Sequence, residues 1–343
     1  MVNACGGNGS TPETTEPTHE PAPTTEPTLT EPAPTTKPTP TEPAAVTFPD
    51  ENLDVAIRAA LGKAQGEEIT VAELAGITKL NAPIRGISNI SGLEYCTSLN
   101  RLSLMENQIS DISPLENLTS LTNLGLHSNQ ISDISPLKNL TNLTILFLRR
   151  NQISDISPLE NLTNLTMLNL HANQISDISP LKNLTKLDEL LIMENQVSDI
   201  SPLKNLTNMA MLRLSTNQIS DISPLENLTS LTRLFLDLNQ VSDISPLENL
   251  TGLINLFLES NQISDISPLK NLTNLTMLNL ESNQISDISP LVENGALASG
   301  ADLWLAGNNL DLTEDSDDME NVRTLEARGV VVHLLDYAPV EVE

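Results

Sequence analysis

The sequence predicts an α/β solenoid: a curved parallel β-sheet on the concave face, short 3₁₀ turns on the convex face, a helical N-terminal cap and an α/β C-terminal cap. Three observations lead there. The phrase Asn-Gln-Ile-Ser-Asp-Ile-Ser-Pro-Leu, or its valine variant, begins at residues 107, 129, 151, 173, 195, 217, 239, 261 and 283, a fixed period of 22. Just before each copy, leucines alternate with variable residues, as at Leu146 and Leu148, the period-two pattern of a short strand. Both segments flanking the repeats change to helical spacing with start and stop signals.

Residues 1–45 come first. Between Thr11 and Pro43 lie ten prolines, twelve threonines and six glutamates with hardly an apolar residue. Such a segment buries too little surface to offset its ordering entropy and is expected to remain an extended stalk. In polyproline II form it would reach on the order of 100 Å. Ahead of it sits Cys5, with the small residues Val2 and Ala4 at minus three and minus one, like the end of a bacterial lipoprotein signal. Asn3 is atypical there, and the basic and apolar regions of a signal peptide are not in this sequence. An unmodified, exposed cysteine is the competing expectation.

Residues 46–76 are expected to form the helical cap. Leu53, Ile57, Ala60 and Leu61 share one helical face, Gly62 ends it, and Thr70 with Glu73 has capping-box spacing. Residues 77–291 hold one degenerate coil, at 77–98, and nine full repeats. Cys96 takes the place of Leu118 and is expected to be a small core residue and not a reactive thiol. Residues 292–343 are the C-terminal cap. The spacing slips by three before Gly300, Leu303-Trp304-Leu305 gives one last strand, and a helix from about Asp317 to Arg328 stops at Gly329 before a final valine-rich strand.

One unit places Leu143, Leu146, Leu148, Ile153, Ile156, Leu159 and Leu162 inward. A unit this small cannot bury its apolar face alone, so like units must stack at ~4.8 Å and join their leucines into one core. Asn151 and its eight counterparts fall where the strand turns, and are expected to bond orphaned backbone groups of adjacent coils. Ser157-Pro158-Leu159-Glu160 reads as the start of a short 3₁₀ turn, with Ser as cap, Pro first and Glu third. The row of aspartates at Asp155 and its equivalents suggests a calcium ladder. Local turn capping is the favoured reading, because no second oxygen-rich position accompanies the Asp at calcium-loop spacing.

The pattern Leu-x-Leu-x-x-Asn-x-Ile-x-Asp-Ile-x-Pro-Leu resembles that of the bacterial internalin-type leucine-rich repeats over about residues 77–310. The resemblance implies a leucine-rich repeat solenoid that is not an enzyme. It also implies a cell-surface adhesion or invasion protein binding a partner protein on the concave sheet face. The LPxTG-type sorting signal that many members carry is lacking. The expectation is therefore an extracellular monomer, either held by lipid at Cys5 or secreted free.

A formal net charge of −28, with twelve acids against two arginines over residues 292–343, argues against nucleic acid as partner. No apolar run approaches the ~20 residues that span a bilayer, so membrane association is expected only through a lipid anchor. Two cysteines make no disulfide framework. There is no metal-spaced Cys/His group, phosphate loop or nucleophile motif, and neither catalysis nor a cofactor is expected. His127 and His171 lie two coils apart, about 10 Å, and read as two exposed surface residues. Asn-Leu-Thr at Asn117, Asn139, Asn161 and onward matches a glycosylation sequon, but Leu118 and its counterparts belong to the core. Rows of threonine at Thr119 and Thr122 suggest an ice-binding face, a remote reading since Asp188, Ala210 and Ile254 break the second row.

The letters that change are the informative ones. Between the inward leucines the successive residues are Ser103, Gly125, Phe147, Asn169, Leu191, Arg213, Phe235, Phe257, Asn279 and Trp304, expected to stand exposed on the concave face. Ile145, Met167, Met211 and Met277 stand beside them. A further column begins with Met105, His127 and Arg149 and ends with Asp237, Glu259 and Glu281, a bipolar face able to orient an elongated partner. The expected partner-binding residues are Phe147, Leu191, Phe235, Phe257 and Trp304 as apolar anchors, with Arg149, Arg150, Arg213 and Arg233 meeting acidic groups. A carbohydrate or cell-wall glycan stacking on the aromatic rings is one alternative, and an intracellular scaffold that regulates an enzyme is another.

Overall fold

The computed structural model of the protein describes residues 45–335. Cys5, His19, the Thr/Pro/Glu stretch and residues 336–343 lie outside the described residues.

Twelve three-residue strands form one parallel sheet in strict chain order. They are β1 (Lys79–Asn81), β2 (Arg101–Ser103), β3 (Asn123–Gly125), β4 (Ile145–Phe147), β5 (Met167–Asn169) and β6 (Glu189–Leu191), then β7 (Met211–Arg213), β8 (Arg233–Phe235), β9 (Asn255–Phe257), β10 (Met277–Asn279), β11 (Asp302–Trp304) and β12 (Val331–His333). The middle residue of nearly every strand is a leucine, and these face each other in register from Leu80 opposite Leu102 through Leu278 opposite Leu303. The sheet is open and curved, lies on the concave side, and is backed by a 3₁₀ turn in every repeat but the last. The core runs without a break from Leu53 to Val330.

The fixed polar letters hold this frame. Asn151 Oδ1 accepts from the Ile131 N–H of the preceding coil at 3.0 Å, while its Nδ2 donates to the Leu126 and Leu148 carbonyls at 3.1 and 3.0 Å. The arrangement recurs from Asn107 to Asn308. An asparagine is needed because one side chain must both accept and donate. Before each of these asparagines the chain turns through a left-handed residue, Gly307 before Asn308 and a non-glycine nine times, from Glu106 to Ser282, at φ of 53–56°. Such a residue costs roughly 1 kcal/mol, and the asparagine bonds on both sides hold it there. Threonine hydroxyls add to the frame: Thr144 Oγ1 donates to the Thr122 carbonyl one coil back at 3.1 Å.

The 3₁₀ turns correct one expectation. Ser157 is the first residue of its turn and its hydroxyl caps nothing. Asp155 caps instead, its Oδ1 accepting from the Ser157 N–H at 2.8 Å. All nine repeats share this Asp-x-Ser turn. A carboxylate two residues ahead reaches the orphan N–H of the turn more directly than a serine on the turn itself. Pro158, lacking an N–H, fits the position that follows.

At the N-terminal end, α1 (Glu51–Leu61) buries Leu53, Ala56 and Ile57. Ala60 is exposed and Leu61 only partly covered, because both lie in the last turn of α1 and the chain leaves at left-handed Gly62. Asp50 caps α1 and ties it to the first coil by accepting from the Ser88 and Asn89 N–H groups at 2.8 and 3.1 Å. Helix α2 (Val71–Ala75) carries the full Thr70/Glu73 capping box. Cys96 is fully buried, and burial, with Glu94 nearby, pushes its thiol up to about 12. At the other end α3 (Ser289–Glu293) replaces a 3₁₀ turn, and α4 (Asp317–Ala327) packs Val322 and Leu325 on the last coils before β12.

Candidate functional site

The third residue of each strand points out of the concave face, and its neighbours across the sheet stand at the same height. At the C-terminal end this places Arg213, Phe235, Phe257, Asn279, Trp304 and His333 in one row, by the registers of β7 to β12. They form a stack. Phe235 and Phe257 lie face to face with centroids 4.9 Å apart and an interplanar angle of 17°. Phe257 reaches across Asn279 to Trp304 at 6.3 Å, and Trp304 stacks on His333 at 4.9 Å and 9°. The Arg213 guanidinium covers the open end, 4.3 Å from the Phe235 centroid.

This corrects the expectation of exposed rings. Phe235, Phe257 and Trp304 are half-buried, and Asn279 beneath the rings is 7% exposed. The strand spacing of ~4.8 Å leaves neighbouring rings little room except against each other's faces. Arg213 is likewise half-buried on a ring and its Nε has no hydrogen-bond partner. His333, which sequence reading left out of the row, completes it and lies 3.4 Å from the Asp302 carboxylate.

The middle of the sheet is quieter. Leu191 is half-buried in β6, and Met211, expected in the open, is 8% exposed. The adjoining column turns acidic. Asp237 Oδ2 accepts from the Ser215 hydroxyl at 3.0 Å and its Oδ1 from the Glu259 N–H at 3.3 Å. Burial pushes the Asp237 carboxyl above its usual range, outweighing these bonds, and the Glu259 charge adds to the rise.

At the N-terminal end the same strand position carries Ser103 and Gly125, and the row is interrupted by a hollow of about 430 Å³. Its floor is the strand backbone at Leu80, Leu102 and Leu124, and Phe147 and Ile145 close one end. Met105 and His127 form one side; Arg101 and Lys79 reach the lip. His127 is half-buried, not exposed as expected: its ring stands edge-on to Phe147 at 6.4 Å. Burial, then the charge of Arg149, lowers its pKa against the opposing Glu106. His171 is also half-buried, with Nδ1 3.2 Å from the Met193 carbonyl.

The nine expected binding residues thus divide. Phe147 and Arg149 belong with the hollow; Arg213, Phe235, Phe257 and Trp304 belong with the stack. Leu191 stands between them. Arg150 is exposed on a left-handed corner at φ 54°, outside the strand, and Arg233 is exposed at the start of β8. Among the described residues no group of three or more His, Cys, Asp or Glu could hold a metal ion, and no helix is long and apolar enough to cross a membrane.

The sequence matches the family model for leucine-rich repeats (two copies) over residues 97–139, 141–183, 185–227, 207–249 and 251–293. Solved structures similar to this one include an internalin (inlF) from Listeria monocytogenes, at 43% identity and TM-score 0.74, covering 86% of this chain and 93% of that one. Internalin C2 from the same organism is also 43% identical, with TM-score 0.59, and covers 62% of this chain and 94% of its own. The functional domain of InlJ from Listeria monocytogenes is 25% identical at TM-score 0.68, covering 84% of this chain and 60% of that one. A search of curated proteins found no match.

Proposed function

We propose, for a chain that belongs to the internalin-type leucine-rich repeat proteins, that the concave face of its sheet recognises a protein partner outside the bacterial cell and acts by binding, without catalysis. One observation carries this reading. The inward and turn-forming letters repeat almost unchanged, while the side chains leaving the concave face differ from strand to strand and collect the aromatic, methionine and arginine residues that interfaces favour. A frame so uniform has no need of that variety.

The ring stack bears on the glycan alternative. A sugar stacks on an exposed aromatic face, and in this row each ring turns at least one face to a neighbour. The acidic column and the arginines suit a protein surface of mixed charge better. In the same reading residues 1–45 are a stalk ahead of the cap (46–76), repeats (77–291) and C-terminal cap (292–343). Cys5 is the proposed site of lipid attachment, a monomer is the expected state, and no cofactor takes part.

The test uses the full chain against arrays of host surface proteins and glycans, beside a variant with Phe147→Ala, Leu191→Ala and Arg233→Ala whose folding is checked by circular dichroism. We expect a protein hit weakened at least tenfold, about 1.4 kcal/mol, in the variant. Undiminished binding by the variant, or glycan hits alone, would overturn the reading.

A further inference from the structure

Building on that reading of the concave face, we propose that the hollow over Gly125 receives one large apolar side chain of the partner, aromatic or branched aliphatic, flanked on the partner by acidic residues. The fold itself does not require glycine at position 125. Its backbone is not in the left-handed region, and a Cβ added there would meet nothing nearer than the Ser103 hydroxyl at 3.6 Å, an ordinary contact. Glycine inside a strand is roughly 0.5–1 kcal/mol less favourable than alanine. Position 125 therefore gives up stability and opens space.

The sheet beneath that space is slightly less covered than elsewhere. Leu80, Leu102 and Leu124 retain 3%, 2% and 1% exposure, whereas the strand leucines from Leu146 to Leu278 are all at 0%. An apolar group entering here meets the side chains of Ile145 and Phe147 and the adaptable thioether of Met105. His127 adds a buried Nδ1 without a hydrogen-bond partner in the wall.

Charge names the flanks. In a chain of net charge −28, the lip of this hollow carries Lys79 and Arg101, with Arg149 beside His127. Glu106 is an acid near His127 that opposes them. Basic groups set around an apolar hollow, on an otherwise acidic molecule, favour acidic neighbours on the incoming side chain.

The experiment titrates the full chain, with ¹³C-labelled methionine methyls, against three blocked peptides: Asp-Glu-Phe-Glu-Asp, its alanine-centred counterpart and Lys-Lys-Phe-Lys-Lys. We expect the acidic phenylalanine peptide to shift the Met105 methyl saturably at about millimolar concentration, and the other two to bind at least about fivefold more weakly. Gly125→Leu, which fills the hollow, should abolish the shift, while Gly125→Ala should keep it; thermal unfolding confirms that both variants fold. Equal binding by Gly125→Leu, no discrimination among the peptides, or no shift at Met105 would each overturn the proposal. A partner found on the arrays that binds Gly125→Leu normally, yet is lost in the Phe147/Leu191/Arg233 variant, would overturn the hollow and leave the wider reading standing. A partner retained by both variants would bring down the wider reading as well.

Discussion

At one end of the concave face the residue between the inward leucines is Ser103 and then Gly125; at the other it is Phe235, Phe257 and, after Asn279, Trp304. Backbone, register and core are the same at both ends. The difference in side-chain volume alone makes the first a hollow open down to the sheet and the second a self-covered stack of rings. A solenoid separates the two tasks cleanly: the frame is set by repeated residues, and relief on the surface is set by one letter per coil. More aromatic surface in the sequence did not mean more exposed aromatic surface, because adjacent rings at strand spacing cover each other.

The comparison can be broken most forcefully through the frame. Asn129→Ala, under the hollow, and Asn261→Ala, under the stack, each leave one backbone N–H without a partner and take one of two asparagine donors from each of two carbonyls. We expect each to cost about 3 kcal/mol in urea unfolding. Costs differing by more than about 1 kcal/mol would show that the frame is not shared equally. The next effect separates the two ends. Phe257→Ala removes the ring that links Phe235 to Trp304 and should cost about 2 kcal/mol, with a change in Trp304 fluorescence. Phe147→Ala, whose ring meets only the edge of His127, should cost about half as much. Gly125→Ala has the opposite sign and should stabilise by roughly 0.5–1 kcal/mol, read as a higher melting temperature.

The smallest effect concerns pH. The folded state raises the pKa of Asp237, so it binds that proton more tightly than the unfolded chain does. Stability attached to this group is present at low pH and falls as pH rises through the folded value. Asp237→Asn should therefore raise the melting temperature at pH 7 by on the order of 2 °C, and the gain should vanish toward pH 4. A gain unchanged by acidification would remove the carboxylate's desolvation as its cause.

Much of this was readable from the letters. The period located the strands, the Leu-x-Leu alternation oriented them, and the asparagine row announced bonds that the structure shows in full. The serine differs from its expected role because the turn starts at Ser157 itself, so its N–H is the one that Asp155 caps, and sequence spacing alone does not fix the first residue of a turn. Ala60 shares the helical face of Leu53 but lies in the last turn of α1, where the chain leaves at Gly62 and the spacing alone does not show that cover has ended. The hollow had a signal, a lone glycine among the third-strand residues, but its depth depends on Ser103 and Phe147 in neighbouring coils.

By itself the sequence determined the solenoid, its parallel sheet and its leucine core, because each follows from local periodicity repeated at a fixed interval. Only the tertiary structure decided which variable side chains are open to a partner. That depends on what stands one strand away: His333 joins the row through α4, outside the repeat period, and Phe257 leans over Asn279 to reach Trp304. Burial on this face is a property of neighbouring pairs across strands, and no single letter carries it.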